Sequence, residues 1–133
     1  MQGKLTLLDK AKSDLRVAGF ILNEADEDVD IDIAAYHCAQ CIEKAVKFYL
    51  TLKGIKYPRD HFQSRLMNLL DDDEIKQAVS KISDRLDNWS GNIRYSTSIV
   101  TSRDTVTETL SQCKEILKLI DGEIPNEEEI EGS

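Results

Sequence analysis

Apolar residues recur at helical spacing along most of the chain. In the first segment, residues 5–24, they stand three or four positions apart and therefore line one face of a helix. These residues are Leu8, Ala11, Leu15, Ala18 and Leu22. The same spacing recurs over residues 75–93 and again over residues 106–120, and a shorter Leu-rich run covers residues 62–70. The pattern predicts three more helices, of which the Leu-rich one is short.

The stretch from Asp30 to Gly54 differs from these segments because its apolar residues cover an arc of roughly 200°, whereas a surface helix shows a stripe of about 100°. We therefore predict a long helix that is packed on several sides and stands at the centre of a bundle. Asp30 or Asp32 is a candidate for its N-cap, and Gly54 provides a left-handed stop at its end.

A narrow polar strip remains on this central helix. Its members are His37, Gln40, Glu43, Lys44 and Lys47. The strip alone leaves three interpretations open, namely a solvent-facing surface, an interface and a binding site.

The elements together predict an all-α fold, an antiparallel up-down bundle of four long helices plus one short helix. Residues 1–122 form this bundle, and residues 123–133 form an acidic tail that we expect to be disordered. The chain has a net charge of −8, but residues 121–133 contribute six acids and no base, which leaves −2 for residues 1–120. Such a body lacks the broad basic footprint of a duplex DNA-binding protein, although a local phosphate site remains compatible with it.

Composition limits the chemistry further. The chain shows neither a signal-peptide run at its N-terminus nor an apolar segment of membrane-spanning length, so a cytoplasmic location without membrane contact is expected. Cys38 and Cys41 form a C-x-x-C beside His37, but both lie within the apolar arc, which favours reduced thiols packed in the core. We predict no metal site, no cofactor and no catalytic group.

Arg59 and His61 stand before the short helix, and Arg94 and Tyr95 stand at the end of the helix over residues 75–93. These four are the candidate nucleotide- or phosphate-binding residues. Spacing does not decide whether the two positions meet in the bundle. The alternative to a binding site is that the histidine only caps a helix and that the arginine only lies on the surface.

Thirteen positions follow one family pattern in order, and they follow its spacing except just before Glu43. They are Ala34, His37, Gln40, Glu43, Lys44, Ala45, Lys47 and Leu50 on the central helix, then Pro58, His61 and Leu66, and finally Arg94 and Tyr95. In this order the chain resembles a HEPN domain (higher eukaryotes and prokaryotes nucleotide-binding) over about residues 8–120. The resemblance implies a helical bundle that commonly forms homodimers, a role near nucleotides or RNA, and often a partner nucleotidyltransferase encoded with it as a toxin–antitoxin pair.

Active HEPN ribonucleases carry a histidine separated from the arginine by four to six residues, and here the corresponding positions are Ile99, Val100 and Thr101. The expected function is therefore a non-catalytic domain that binds nucleotide or RNA, or that pairs with a nucleotidyltransferase. Two alternatives stay open. One is a divergent ribonuclease that uses His61 or His37, and the other is a purely structural interaction module.

Overall fold

The computed structural model describes residues 5–59, 62–95 and 101–125, with the backbone alone at residues 92–95. Every regular element in these ranges is helical, which confirms the all-α class. The helices are α1 (Leu7–Glu24), α2 (Asp28–Leu52), the one-turn α3 (Gln63–Leu66) followed by a 3-10 turn (Met67–Leu69), α4 (Asp73–Ser80), α5 (Ser83–Tyr95) and α6 (Arg103–Asp121).

Helix α2 is the centre of the bundle, as its wide apolar arc predicts. It packs against α1, α3, α5 and α6, and its apolar residues from Ala34 to Val46 are fully buried. Gly54 follows the helix with φ 71°, and the N–H groups of Gly54 and Ile55 donate to the carbonyls of Thr51 and Leu50. These two bonds are those of a Schellman motif, so the predicted stop is confirmed.

The start of α2 differs from the prediction. Its N-cap is Glu27, which makes no side-chain capping bond, and the helix begins at Asp28. Asp32 lies inside the helix and is buried, and its carboxylate accepts the Thr101 N–H at 3.0 Å just before α6. The proposed cap was wrong because Asp32 lies too far into the helix and instead satisfies a backbone donor of another segment.

The apolar seam over residues 75–93 is divided between two helices. The chain turns at Lys81 and Ile82, where the Ile82 N–H donates to the Val79 carbonyl in a bond that spans only three residues. The Ser83 hydroxyl donates to the Ser80 carbonyl at 3.3 Å and so supplies a side-chain bond at the break. Ile82 and Leu86 nevertheless stay buried, because the turn keeps the apolar side of α4 and of α5 on the same core.

All three cysteines are fully buried, and the Cys113 thiol of α6 lies 3.9 Å from the Cys38 carbonyl. Hydrogen bonding to the Cys38 and Cys41 thiols, together with burial, raises the pKa of Cys113 well above its usual value. The core-packing interpretation of these residues is thereby supported. None of the helices in the described ranges is both long enough and apolar enough to cross a bilayer.

Candidate functional site

Asp87 of α5 fixes the start of α3. Its carboxylate accepts the Gln63 N–H at 2.5 Å and the Ser64 N–H at 3.1 Å, and it also accepts the Ser64 hydroxyl at 2.5 Å. A one-turn helix has too few internal bonds to hold itself in place, so these charge-assisted bonds position it against α5. Asp87 thus determines where the start of α3 meets the bundle.

Arg94 follows Asp87 by seven residues on α5, which is about two helical turns or roughly 10 Å along the axis. The start of α3 therefore meets α5 about two turns before Arg94. We call this region the α3–α5 junction and define it as residues 62–65 and 87–95. His61 lies outside the described residues, as do the side chains of Arg94 and Tyr95, and Arg59 is exposed.

An aromatic–cation pair at the same place was missed by the sequence analysis. The guanidinium carbon of Arg65 lies 4.9 Å from the centre of the Phe62 ring, and 40% of Phe62 is exposed. The spacing of three residues between them was the available signal, but a Phe beside an Arg is too common to single out. An exposed ring next to a cation is suited to stacking on a base and to attracting its phosphate.

Gln63 is fully buried, and neither its amide oxygen nor its amide nitrogen has a hydrogen-bond partner among the residues with described side chains. Buried amide groups in folded proteins are nearly always paired with protein or with ordered water. The interior of the α3–α5 junction is therefore more polar than the leucines around it suggest.

The polar strip of α2 is tied to a buried acid that the sequence analysis also missed. Asp14 of α1 accepts from Lys44 at 2.5 Å and lies 3.0 Å from the Nδ1 of His37. Within the strip, Lys47 pairs with Glu43 at 3.1 Å, and Gln40 is half-buried. Much of the strip is thus bonded across or along the helices, although about a quarter of the His37 and Lys44 side chains stays exposed.

Tyr49 is a buried tyrosine whose phenol is bonded to an acid. Its phenol donates to Asp71 at 2.6 Å from a buried position at the end of α2. Burial, with the Asp71 bond as the second cause, raises the pKa of Tyr49 well above its usual value. The phenol consequently stays protonated in the folded chain at pH values where an exposed tyrosine ionises.

Tyr49→Phe is expected to change how stability depends on alkaline pH. Above about pH 10 the unfolded wild-type chain ionises Tyr49 while the folded chain does not, so stability that is present below pH 10 is lost as the pH rises, by up to about 1.4 kcal/mol per pH unit. The phenylalanine variant lacks this contribution. Its free energy of unfolding should therefore fall less steeply with pH than that of the wild type, by that amount. Urea unfolding between pH 8 and 11 would measure it.

Tyr57→Phe serves as the control, since it removes a half-buried phenol from the loop after α2. Identical slopes for Tyr49→Phe and the wild type would contradict the raised pKa. At neutral pH, Tyr49→Phe should lower the free energy of unfolding by about 1 kcal/mol, because Asp71 loses its hydrogen-bond donor.

No group of three His, Cys, Asp or Glu side chains in the described part of the chain is arranged to hold a metal ion. The C-x-x-C with His37 therefore shows no ligand cluster there.

One family model matches the chain. It is the HEPN domain, and the match runs over residues 5–124, which is nearly the whole of the described bundle. The chain has no significant match among curated proteins or among solved structures.

Proposed function

The chain belongs to the HEPN domain family, and from this premise we propose that it is a non-catalytic member that binds a nucleotide or single-stranded RNA at the α3–α5 junction. The observation that carries the proposal is the anchoring of Gln63 and Ser64 on Asp87. This anchor holds the start of α3 against α5 and supports a single site that combines His61, before α3, with Arg94 and Tyr95, at the end of α5.

Each residue has a role that follows from its chemistry. Arg94 offers a planar fork of donors for a phosphate, and Arg59 adds a second positive charge from the exposed loop. His61 supplies a donor to the same anion, while Tyr95 and Phe62 provide rings on which a base stacks. The absence of histidine at positions 99–101 argues against cleavage of the bound strand, because no group that titrates near neutrality follows Arg94.

Arg94→Ala is expected to weaken binding of a short single-stranded RNA by about tenfold to a hundredfold, the equivalent of losing one charge-assisted contact of roughly 1.5–3 kcal/mol. Fluorescence anisotropy of a labelled oligonucleotide at fixed salt would measure the loss. Lys114→Ala is the matched control, since it removes one exposed positive charge from α6. Equal losses in the two variants would show that binding is non-specific and would contradict the assigned site.

A divergent ribonuclease is the second candidate, and one observation favours it. Asp14 holds the Nδ1 of His37, and the same carboxylate binds Lys44, so that an oriented imidazole and a cation lie side by side in the groove between α1 and α2. A carboxylate–histidine pair is a common arrangement for proton transfer. Loss of RNA cleavage in His37→Ala would support this candidate, whereas RNA that stays intact with the wild-type protein would exclude it.

Pairing with a small nucleotidyltransferase, in a toxin–antitoxin-like system, remains a proposal that rests on the family resemblance. Co-expression of the chain with a small nucleotidyltransferase, followed by gel filtration, would test it. Separate elution of the two proteins would contradict this pairing and would leave the ligand proposal unaffected.

A further inference from the structure

A shallow depression on the outer surface of α1 collects positive charge. We call it the α1 depression, and it is lined by three basic residues, one acid and two uncharged residues, namely Lys10, Lys12, Arg16, Asp9, Leu5 and Ser13. Asp9 is already bonded to the backbone N–H of Thr6 at 2.9 Å. Lys10 and Arg16 are exposed, and neither pairs with an acid among the residues whose side chains the structure describes. The depression therefore offers two available cations to an anionic partner.

The end of α6 lies beside this depression. The carboxylate of Asp121, the last residue of α6, is 3.0 Å from the ammonium of Lys12. The Ile124 N–H then donates to the Asp121 carbonyl, so the chain turns and stays close to the end of the helix. The segment that follows residue 125 consequently begins within reach of the α1 depression.

That segment, residues 126–133, matches the depression in charge and in length. Its sequence contains four glutamates and no base. Eight residues in extended conformation reach about 26 Å. The seven positions from Asp9 to Arg16 cover only about 10 Å of helix axis. The segment is thus long enough to cross the depression with its acids beside both available cations.

The other side of this end of the bundle carries a surplus of acids. Glu123 lies 3.2 Å from Lys53, so that this cation already has a partner. The Lys53 ammonium also lies 5.6 Å from the centre of the Tyr49 ring, and the phenol of the same ring donates to Asp71. Asp71 is the first of three consecutive acids, residues 71–73. Like charges repel a glutamate-rich segment there, whereas the α1 depression attracts it.

We propose that residues 126–133 bind in the α1 depression, with their glutamates beside Lys10 and Arg16, and that they keep other polyanions away from α1. The contact continues along α1 from the ion pair that Asp121 and Lys12 already make. This inference goes beyond the ligand site and does not depend on it, because the α1 depression and the α3–α5 junction share no residue.

Zero-length cross-linking of the full chain tests the contact directly. A carbodiimide joins a carboxylate to an ammonium when the two are in contact, and mass spectrometry of the peptides identifies the pair. We expect glutamates of residues 126–133 to be linked to Lys10 or Lys12 within single molecules, and the links to be lost at about 1 M salt, where exposed charges are screened. Links mainly to Lys53 or Lys56, links only between two molecules, or no links from this segment would overturn the proposal.

Binding of a labelled heparin oligosaccharide, a polyanion without bases, tests the competition. Deleting residues 126–133 should strengthen this binding by about threefold to tenfold, the size expected when two exposed cations become accessible. Adding Lys10→Gln and Arg16→Gln to the deletion should remove most of the gain.

The matched control for this pair adds Lys76→Gln and Lys81→Gln to the deletion. These changes remove the same charge from α4 and from the residue that follows it, and they should preserve the gain. Equal heparin binding by the two combined variants would show an effect of net charge alone and would overturn the competition. A deletion variant that binds heparin no more tightly than the wild type would overturn it as well.

Discussion

Replacing Asp87 with alanine is expected to lower the free energy of unfolding by about 3 kcal/mol and to abolish ligand binding at the same time. The Gln63 and Ser64 N–H groups and the Ser64 hydroxyl all lose their acceptor. Water replaces only part of these bonds because Gln63 is fully buried. The thermal midpoint should fall by about 10 °C for a domain of this size.

The loss of binding follows from the position of Asp87 between the two halves of the proposed site. Without the anchor, Gln63 and Ser64 are no longer held against α5, and the proposed site loses the contact that joins its two halves. Asp87→Asn should give an intermediate result because its amide oxygen still accepts one of the bonds. Asp84 is an exposed acid one turn earlier on α5, and Asp84→Ala is the control. It should lower the free energy of unfolding by less than about 1 kcal/mol. Undiminished RNA binding by a folded Asp87→Ala variant would contradict the α3–α5 junction as the site.

Asp14→Ala is the second substitution with a large expected effect, a loss of about 2 kcal/mol in the free energy of unfolding. Asp14 is 9% exposed, and its carboxylate is shared by Lys44 and His37, so alanine leaves a partly buried ammonium without its counter-ion. Removing one member of a buried ion pair costs up to 3–5 kcal/mol. The cost here is smaller because about a quarter of each partner stays in water.

A double-mutant cycle between Asp14→Ala and Lys44→Met would measure this interaction by urea unfolding. The two changes should be clearly non-additive, because Lys44→Met removes the charge that Asp14→Ala leaves unpaired. Ser13→Ala, at the exposed position next to Asp14, is the control and should leave the free energy of unfolding nearly unchanged. Additive effects of the two substitutions would mean that the pair contributes nothing to stability.

The helices could be predicted from the sequence because burying one face of a helix is a local requirement that apolar spacing records directly. The wide arc of α2 predicted its central position, and Gly54 predicted its end. The break at Lys81 and Ile82 could not be seen, since the apolar seam continues through it without a change of spacing. Helix boundaries depend on such local bonds more than on the pattern.

The candidate site was only partly predictable for a different reason. The residues of the α2 strip could be listed, but Asp14 stands among the apolar residues of α1, and its partners are 23 and 30 residues away. Asp87 likewise bonds residues 23 and 24 positions before it. A single sequence contains no signal for such pairings, because any exposed acid could serve equally well until the fold brings the helices together.

The most direct test of the central claim is one titration of the full chain with a labelled short single-stranded RNA, in which anisotropy is recorded and the RNA is then run on a denaturing gel. We expect the RNA to bind saturably, ATP or GTP to compete with it for the site, and the RNA to be recovered intact. Binding absent even at millimolar ligand would contradict the nucleotide-binding function, and cleaved RNA would contradict the non-catalytic assignment.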